Sequence, residues 1–162
     1  MEDTHMKKRL GLMIAALMLC WLDPGAAQDG FVGQKLPDLK LDYLEKEPEI
    51  KGKPVLLEFW ATWCPPCRKS IPHLNELHGK YADRGLVIIG VTNENKSVVR
   101  KFLKEQPIAY HVAFDDGKLA KHFQVRGIPH AFLANAEGVI VWSGHPMALR
   151  EAQIEELLKN NK

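Results

Sequence analysis

The sequence predicts an α/β domain built on a central mixed β-sheet with helices on both faces. Three observations lead there. Two apolar runs of strand length, 55–60 and 86–91, are each followed by a segment of helical periodicity. Two further short strands, 130–134 and 139–142, lie close enough to form a hairpin. Crossover units give parallel strands and a hairpin gives an antiparallel pair, so a sheet holding both is mixed.

Taken in order, 39–44 alternates loosely and fits a short strand. The polar stretch 47–53, with Pro48 and Gly52, turns the chain into Pro54. The run 55–60 is interrupted only by Glu58; the rest has the pattern of a strand buried on both faces, where a carboxylate is the anomaly. Ile71, Leu74, Leu77, His78 and Tyr81 then recur at helical spacing, Pro72 predicts a kink, and Gly85 closes the helix. The β-branched run 86–91 leads through the polar loop Thr92-Asn93-Glu94-Asn95 into a helix carrying Val98, Val99, Phe102 and Leu103, which Pro107 ends. A third strand, 110–114, turns through Asp115-Asp116-Gly117 into a short helix, 118–123. After Gly127-Ile128-Pro129 come the two hairpin strands, and 148–158 reads as a closing amphipathic helix.

At 162 residues, with 46% hydrophobic and 26% charged residues, the chain has the size and composition of one globular domain. A net charge of +2 without a basic stripe argues against a nucleic-acid partner. The N-terminus is of another kind. Lys7-Lys8-Arg9 precede an apolar stretch, 10–22, and Pro24-Gly25-Ala26-Ala27 offers small residues for cleavage, the order of a secretory signal peptide. The stretch is shorter than the roughly 20 residues that span a bilayer. The expected division is therefore a signal at 1–27, with Met6 a second candidate start, and a domain at 28–162, periplasmic or secreted and monomeric. Contact with a membrane is expected only if the signal segment is retained. Leu19, before Cys20, is a poor fit to lipoprotein processing.

With Cys20 removed alongside the signal, Cys64 and Cys67 are the remaining cysteines. A disulfide closing so small a loop is a poor brace, which favours redox chemistry. Structural zinc takes four ligands and no second cysteine pair exists, so neither a metal nor another cofactor is expected. Cys64 falls where a buried strand passes into a helix, and the positive helix end favours its thiolate. Cys64 is thus the candidate nucleophile, and Cys67, one turn on, the candidate resolving thiol. Two other classes stay open: a thiol peroxidase, for which only Thr62 and Arg68 are at hand in sequence to frame the thiolate, and a metal-binding carrier. Trp63 is a candidate contact surface for substrate beside Cys64, with packing as the alternative.

The segment 57–67 and the run Val125-Arg126-Gly127-Ile128-Pro129 resemble the TlpA/ResA-like branch of the thioredoxin superfamily, and the resemblance extends from Phe31 to the C-terminus. It implies a thioredoxin-like three-layer fold and a thiol–disulfide oxidoreductase that exchanges electrons with protein thiols and disulfides and is recharged by an upstream donor. A reductase in cytochrome c maturation or envelope thiol repair is the role it points to. It also implies a cis Pro129 facing the cysteines, with the Ile128 backbone free to pair with an extended substrate. Glu58 stands where thioredoxins carry a buried aspartate, and a carboxyl held in an apolar strand can accept the Cys67 proton. A solvent-facing glutamate is the other reading. Ser70 departs from the branch, which often has a glutamate there, and His130 departs where threonine commonly follows the proline. His130 is either a neighbour of the disulfide, even a metal ligand with the cysteines, or a half-buried strand residue. The motif alone leaves the direction of exchange open. Pro65-Pro66, however, removes two N–H groups from the helix start and is expected to delay the helix to Pro66, leaving the Cys64 thiolate poorly supported, as suits a reductant.

Overall fold

The computed structural model describes residues 30–160. The segment expected to be a signal, 1–27, lies outside the described residues. Among those described, no helix is long and apolar enough to cross a membrane.

The strands are β1 (Asp42–Tyr43), β2 (Val55–Phe59), β3 (Val87–Thr92), β4 (His111–Phe114), β5 (His130–Ala134) and β6 (Ile140–Gly144). The helices are α1 (Pro65–Tyr81), α2 (Lys96–Glu105), α3 (Lys118–His122) and α4 (Glu151–Asn160). One sheet orders the strands β1-β4-β3-β2-β5-β6. β2, β3 and β4 run parallel, whereas β1, β5 and β6 pair antiparallel to their neighbours. This is the mixed sheet that crossover units and a terminal hairpin require.

Every residue of β2 and β3 is buried, because successive side chains enter opposite layers. Leu57, Phe59, Ile89 and Phe132 pack on one face with Phe123 and with Leu119 of α3. Leu56, Ile88 and Leu133 face the other way, against Leu74 of α1 and Ile154 of α4. Val99 and Phe102 of α2 join Trp60, Ile71 and Val112 nearer the cysteines. The sheet is thus covered on both sides. Truncating a fully buried leucine such as Leu57 to alanine costs about 2–5 kcal/mol in a core of this kind.

Departures from the sequence expectation have local causes. The strand expected at 39–44 shrinks to two residues at the sheet edge, where only β4 pairs with it. Val139, expected in β6, is held in the turn: its N–H donates to Asn135 Oδ1 (2.8 Å) and its carbonyl accepts from the Asn135 N–H (2.9 Å). The closing helix begins at Glu151, because Pro146–Ala148 forms a separate 3-10 turn. As expected, the helix continues past Pro72 as α1; the missing N–H of that proline leaves the Arg68 carbonyl without its helical donor. Gln106 Nε2 supplies that bond at 2.7 Å.

Candidate active site

β2 ends at Phe59 and delivers the chain to the first turn of α1. Trp60 N–H still bonds the Val91 carbonyl (3.1 Å), and Cys64 N–H bonds the Ala61 carbonyl (3.2 Å), closing a tight turn. Cys64 caps the helix in an extended conformation (φ −90°, ψ 106°), as a residue before proline prefers. The helix begins at Pro65, not at Pro66 as expected. A proline is tolerated at the first helical position, and the Arg68 N–H to Cys64 carbonyl bond (3.1 Å) closes the first turn despite the constraint Pro66 places on Pro65.

Cys64 and Cys67 form a disulfide with Cα atoms 5.3 Å apart. The Cys67 N–H donates to Cys64 Sγ at 3.2 Å. Pro65 and Pro66, lying between, have no N–H to offer. Cys64 Sγ also lies 3.6 Å from the Ile128 carbonyl, which an S–H at Cys64 would meet as a donor in the dithiol state. The Ile128–Pro129 peptide is cis, and Pro129 is buried.

Glu58 is fully buried. Tyr110 OH donates to its Oε2 at 3.1 Å, and Ser70 Oγ lies 3.4 Å from its Oε1. Burial pushes the carboxyl up to about 8, against the opposing pull of the hydrogen bonds from Tyr110 and Ser70. Burial, with Glu58 beside it, also holds the Tyr110 phenol well above its ordinary range. Ser70 Oγ sits 2.8 Å from the Cys67 carbonyl, so one hydroxyl joins the carboxyl to the Cys67 end of the disulfide.

The outer side is open. Trp63 is 70% exposed, and a groove of about 180 Å³ runs between it and Ile128, floored by Phe59 and Val91 with Asp115 among its lining residues. Glu94 holds the turn that carries Trp63: its carboxylate accepts the Thr62 N–H and hydroxyl, each at 2.7 Å. His130 is buried, not half-buried, on the face opposite Glu58. Its Nε2 lies 2.9 Å from Ser143 Oγ and its ring packs edge-on to Phe132. Among the described residues no group of three or more potential ligands could hold a metal ion. The two residues at hand for a peroxidase are otherwise engaged, Thr62 with Glu94 and Arg68 with Gln106 and the Phe102 ring.

The fold therefore brings Glu58, Cys64, Cys67, Trp63, Ile128 and Pro129 to one end of the sheet. Tyr110, Glu94 and Gly90 belong to the same region and were not singled out from sequence. Gly90 carried a signal, since a glycine inside an apolar strand marks a close approach. A Cβ there would stand 2.9 Å from Trp60 Nε1 and 3.0 Å from the Tyr110 ring.

The family model described as AhpC/TSA family matches residues 32–143, well over half of the chain. The chain belongs to the AhpC/TSA family. Within it, the thiol–disulfide oxidoreductase ResA of Bacillus thuringiensis subsp. konkukian is 34% identical over 134 residues, 79% of this chain and 77% of that one. The thiol:disulfide interchange protein DsbE of Pseudomonas aeruginosa is 32% identical over 129 residues, 74% and 69% of the two chains. Among solved structures, a thioredoxin-family thiol:disulfide interchange protein from Chlorobium tepidum TLS superposes with a TM-score of 0.60 at 28% identity, covering 74% of this chain and 90% of that one. This AhpC/TSA member has the thioredoxin-like fold and is a thiol–disulfide oxidoreductase of the ResA/DsbE type.

Proposed function

We propose that the protein is an exported reductase of protein disulfides that cycles between a Cys64–Cys67 disulfide and the dithiol. The Cys64 thiolate attacks a substrate disulfide, forming a Cys64–substrate bond and expelling the first substrate sulfur as thiolate. Cys67 then gives its proton to the Glu58 carboxylate and attacks Cys64 Sγ. The enzyme disulfide forms, the second substrate sulfur leaves with the bonding pair and takes a proton from solvent, and two electrons have passed to the substrate. An upstream dithiol reverses these steps at the enzyme, with protonated Glu58 returning the proton to the departing Cys67 sulfur.

The observation that carries the direction is the lone N–H, that of Cys67, donating to Cys64 Sγ. A helix start usually offers several such donors, and each stabilises the thiolate and makes the disulfide more oxidising. With prolines at both intervening positions that support is thin, so the dithiol is the better reductant. A redox titration of wild type and Pro65→Gly/Pro66→His tests this. Wild type is expected below about −180 mV, the value typical of protein disulfide isomerase, and the double variant above wild type. A wild-type potential well above −180 mV overturns the reductase reading; a double variant no more oxidising than wild type overturns the donor explanation.

The basic, apolar and small-residue order of 1–27 supports export. N-terminal sequencing of the protein from the extracytoplasmic fraction is expected to begin near Gln28. Recovery in the cytosol with the segment intact contradicts export.

A further inference from the structure

Tyr110 reaches Glu58 from the connector between α2 and β4, and that connector is tied to the cysteine helix along its length. Gln106 Nε2 donates to the Arg68 carbonyl at 2.7 Å. Asn75 Nδ2 donates to the Pro107 carbonyl at 3.0 Å, and the Ala109 N–H donates to Asn75 Oδ1 at 2.8 Å. Tyr110 follows directly. Its ring fills the space left by the missing side chain of Gly90, the β3 partner of Glu58, and only 5% of the residue is exposed. The ring packs against Gly90 beside Trp60, and the hydroxyl is held by its bond to Glu58 Oε2.

The groups facing Glu58 are few. β3 contributes Gly90 and β5 contributes Ala131, neither of which titrates. Trp60 follows on the same face of β2, α1 contributes Ser70, and the connector contributes Tyr110. Among the described residues no charged side chain acts appreciably on the carboxyl. Its behaviour is thus set by burial and two hydroxyls with unlike duties. Ser70 has one proton to share between Glu58 Oε1 and the Cys67 carbonyl, the nearer of the two. When Glu58 is protonated, its own O–H can donate to Ser70 Oγ, whose proton then serves the carbonyl. Tyr110 has one partner in view, Oε2, and can donate to it in both protonation states.

We propose that Tyr110 is a positioning residue for the resolving step, fixing the Glu58 carboxyl between Ser70 and the Cys67 end of α1 so that it exchanges a proton with the Cys67 sulfur. This rests on the role assigned to Glu58 above. The proton passes from Cys67 Sγ to the carboxylate as the Cys64–Cys67 bond forms and the Cys64–substrate bond breaks. Tyr110 changes neither bonds nor protons; it favours the ionised carboxyl through its hydrogen bond and holds its orientation.

The test is Tyr110→Phe, which keeps the ring over Gly90 and removes only the hydroxyl. Two readouts are followed against pH: the rate at which a preformed Cys64 mixed disulfide resolves, and the infrared carboxyl band that Glu58→Gln removes. Losing a hydrogen bond to an ionised group is expected to raise the midpoint of both by about one unit. Resolution at pH 7 slows by up to about tenfold and recovers above the new midpoint. If the phenylalanine variant does not fold, 3-fluorotyrosine at position 110 gives the opposite sign, a stronger donor lowering both midpoints. Midpoints unmoved in either variant overturn the inference while leaving Glu58 its role. A wild-type profile that Glu58→Gln leaves unchanged overturns the role of Glu58 and this inference with it.

Discussion

On the Cys64 side of the disulfide the neighbours are Trp63, 70% exposed, the Ile128 carbonyl and a shallow open groove. On the Cys67 side Ser70 Oγ meets the Cys67 carbonyl and links it to the buried Glu58, which in turn accepts from Tyr110. Both cysteines are buried, Cys64 at 3% and Cys67 at 0% exposure, but what lies beyond them differs: an exposed tryptophan beside one, buried hydroxyls and a carboxyl behind the other. The outer side suits a step that must admit another protein's disulfide. The inner side suits a step that needs a proton held away from water, where burial makes a carboxyl a far better base than it would be at the surface. Attack and resolution can thus be altered one at a time.

The largest effect is expected from the cysteines themselves. Cys64→Ser lowers exchange to background, whereas Cys67→Ser still attacks but cannot resolve, and accumulates mixed disulfides on Cys64 visible by non-reducing mass spectrometry. Trapping by Cys64→Ser and its loss in Cys67→Ser would reverse the assignment of the two sides.

Next in size is a stability effect confined to the inner side. Glu58 ionises near its ordinary 4.5 when unfolded but near 8 when folded. Between those values the folded protein alone keeps the proton, so folding is favoured at low pH and the gain is lost as pH rises towards 8. The change amounts to several kcal/mol at most. Glu58→Gln, which cannot titrate, is expected to be more stable than wild type at pH 9 by more than it is at pH 5, with both proteins oxidised. Denaturant unfolding at the two pH values measures this; an equal difference at both contradicts the buried, proton-holding carboxyl.

Smaller still is the outer side. Trp63→Ala is expected to raise KM for a protein disulfide about tenfold, roughly 1–2 kcal/mol of lost contact, while leaving reaction with a small disulfide reagent unchanged. Equal loss on both substrates would make Trp63 part of the packing.

These two sides were not equally legible in the sequence. Cys64 and Cys67 announce themselves by spacing and by their place between a buried strand and a helix. Glu58 stands out because a charge breaks an apolar run, and the central strands follow from that same apolar continuity. Tyr110 looked like the first residue of a strand, and its role depends on the register that sets Glu58 opposite Gly90, which no local pattern encodes. Glu94 lay in a stretch readable only as a polar loop, because its partner Thr62 is 32 residues away. The burial of His130 is not legible because a strand's first residue is ordinarily near solvent, and here β6 covers it. Boundaries drifted where a side chain or proline intervened, as at Asn135 and Pro146.

The resolving step itself offers the sharpest test of the buried carboxyl. A mixed disulfide is formed on Cys64, and the rate at which Cys67 displaces the substrate is followed from pH 6 to 9 in wild type and Glu58→Gln. Wild type is expected to accelerate with a midpoint near 8 and the glutamine variant to be slower throughout that range, with the inflection gone. Coincident profiles would remove Glu58 from the chemistry and leave the inner side a matter of packing alone.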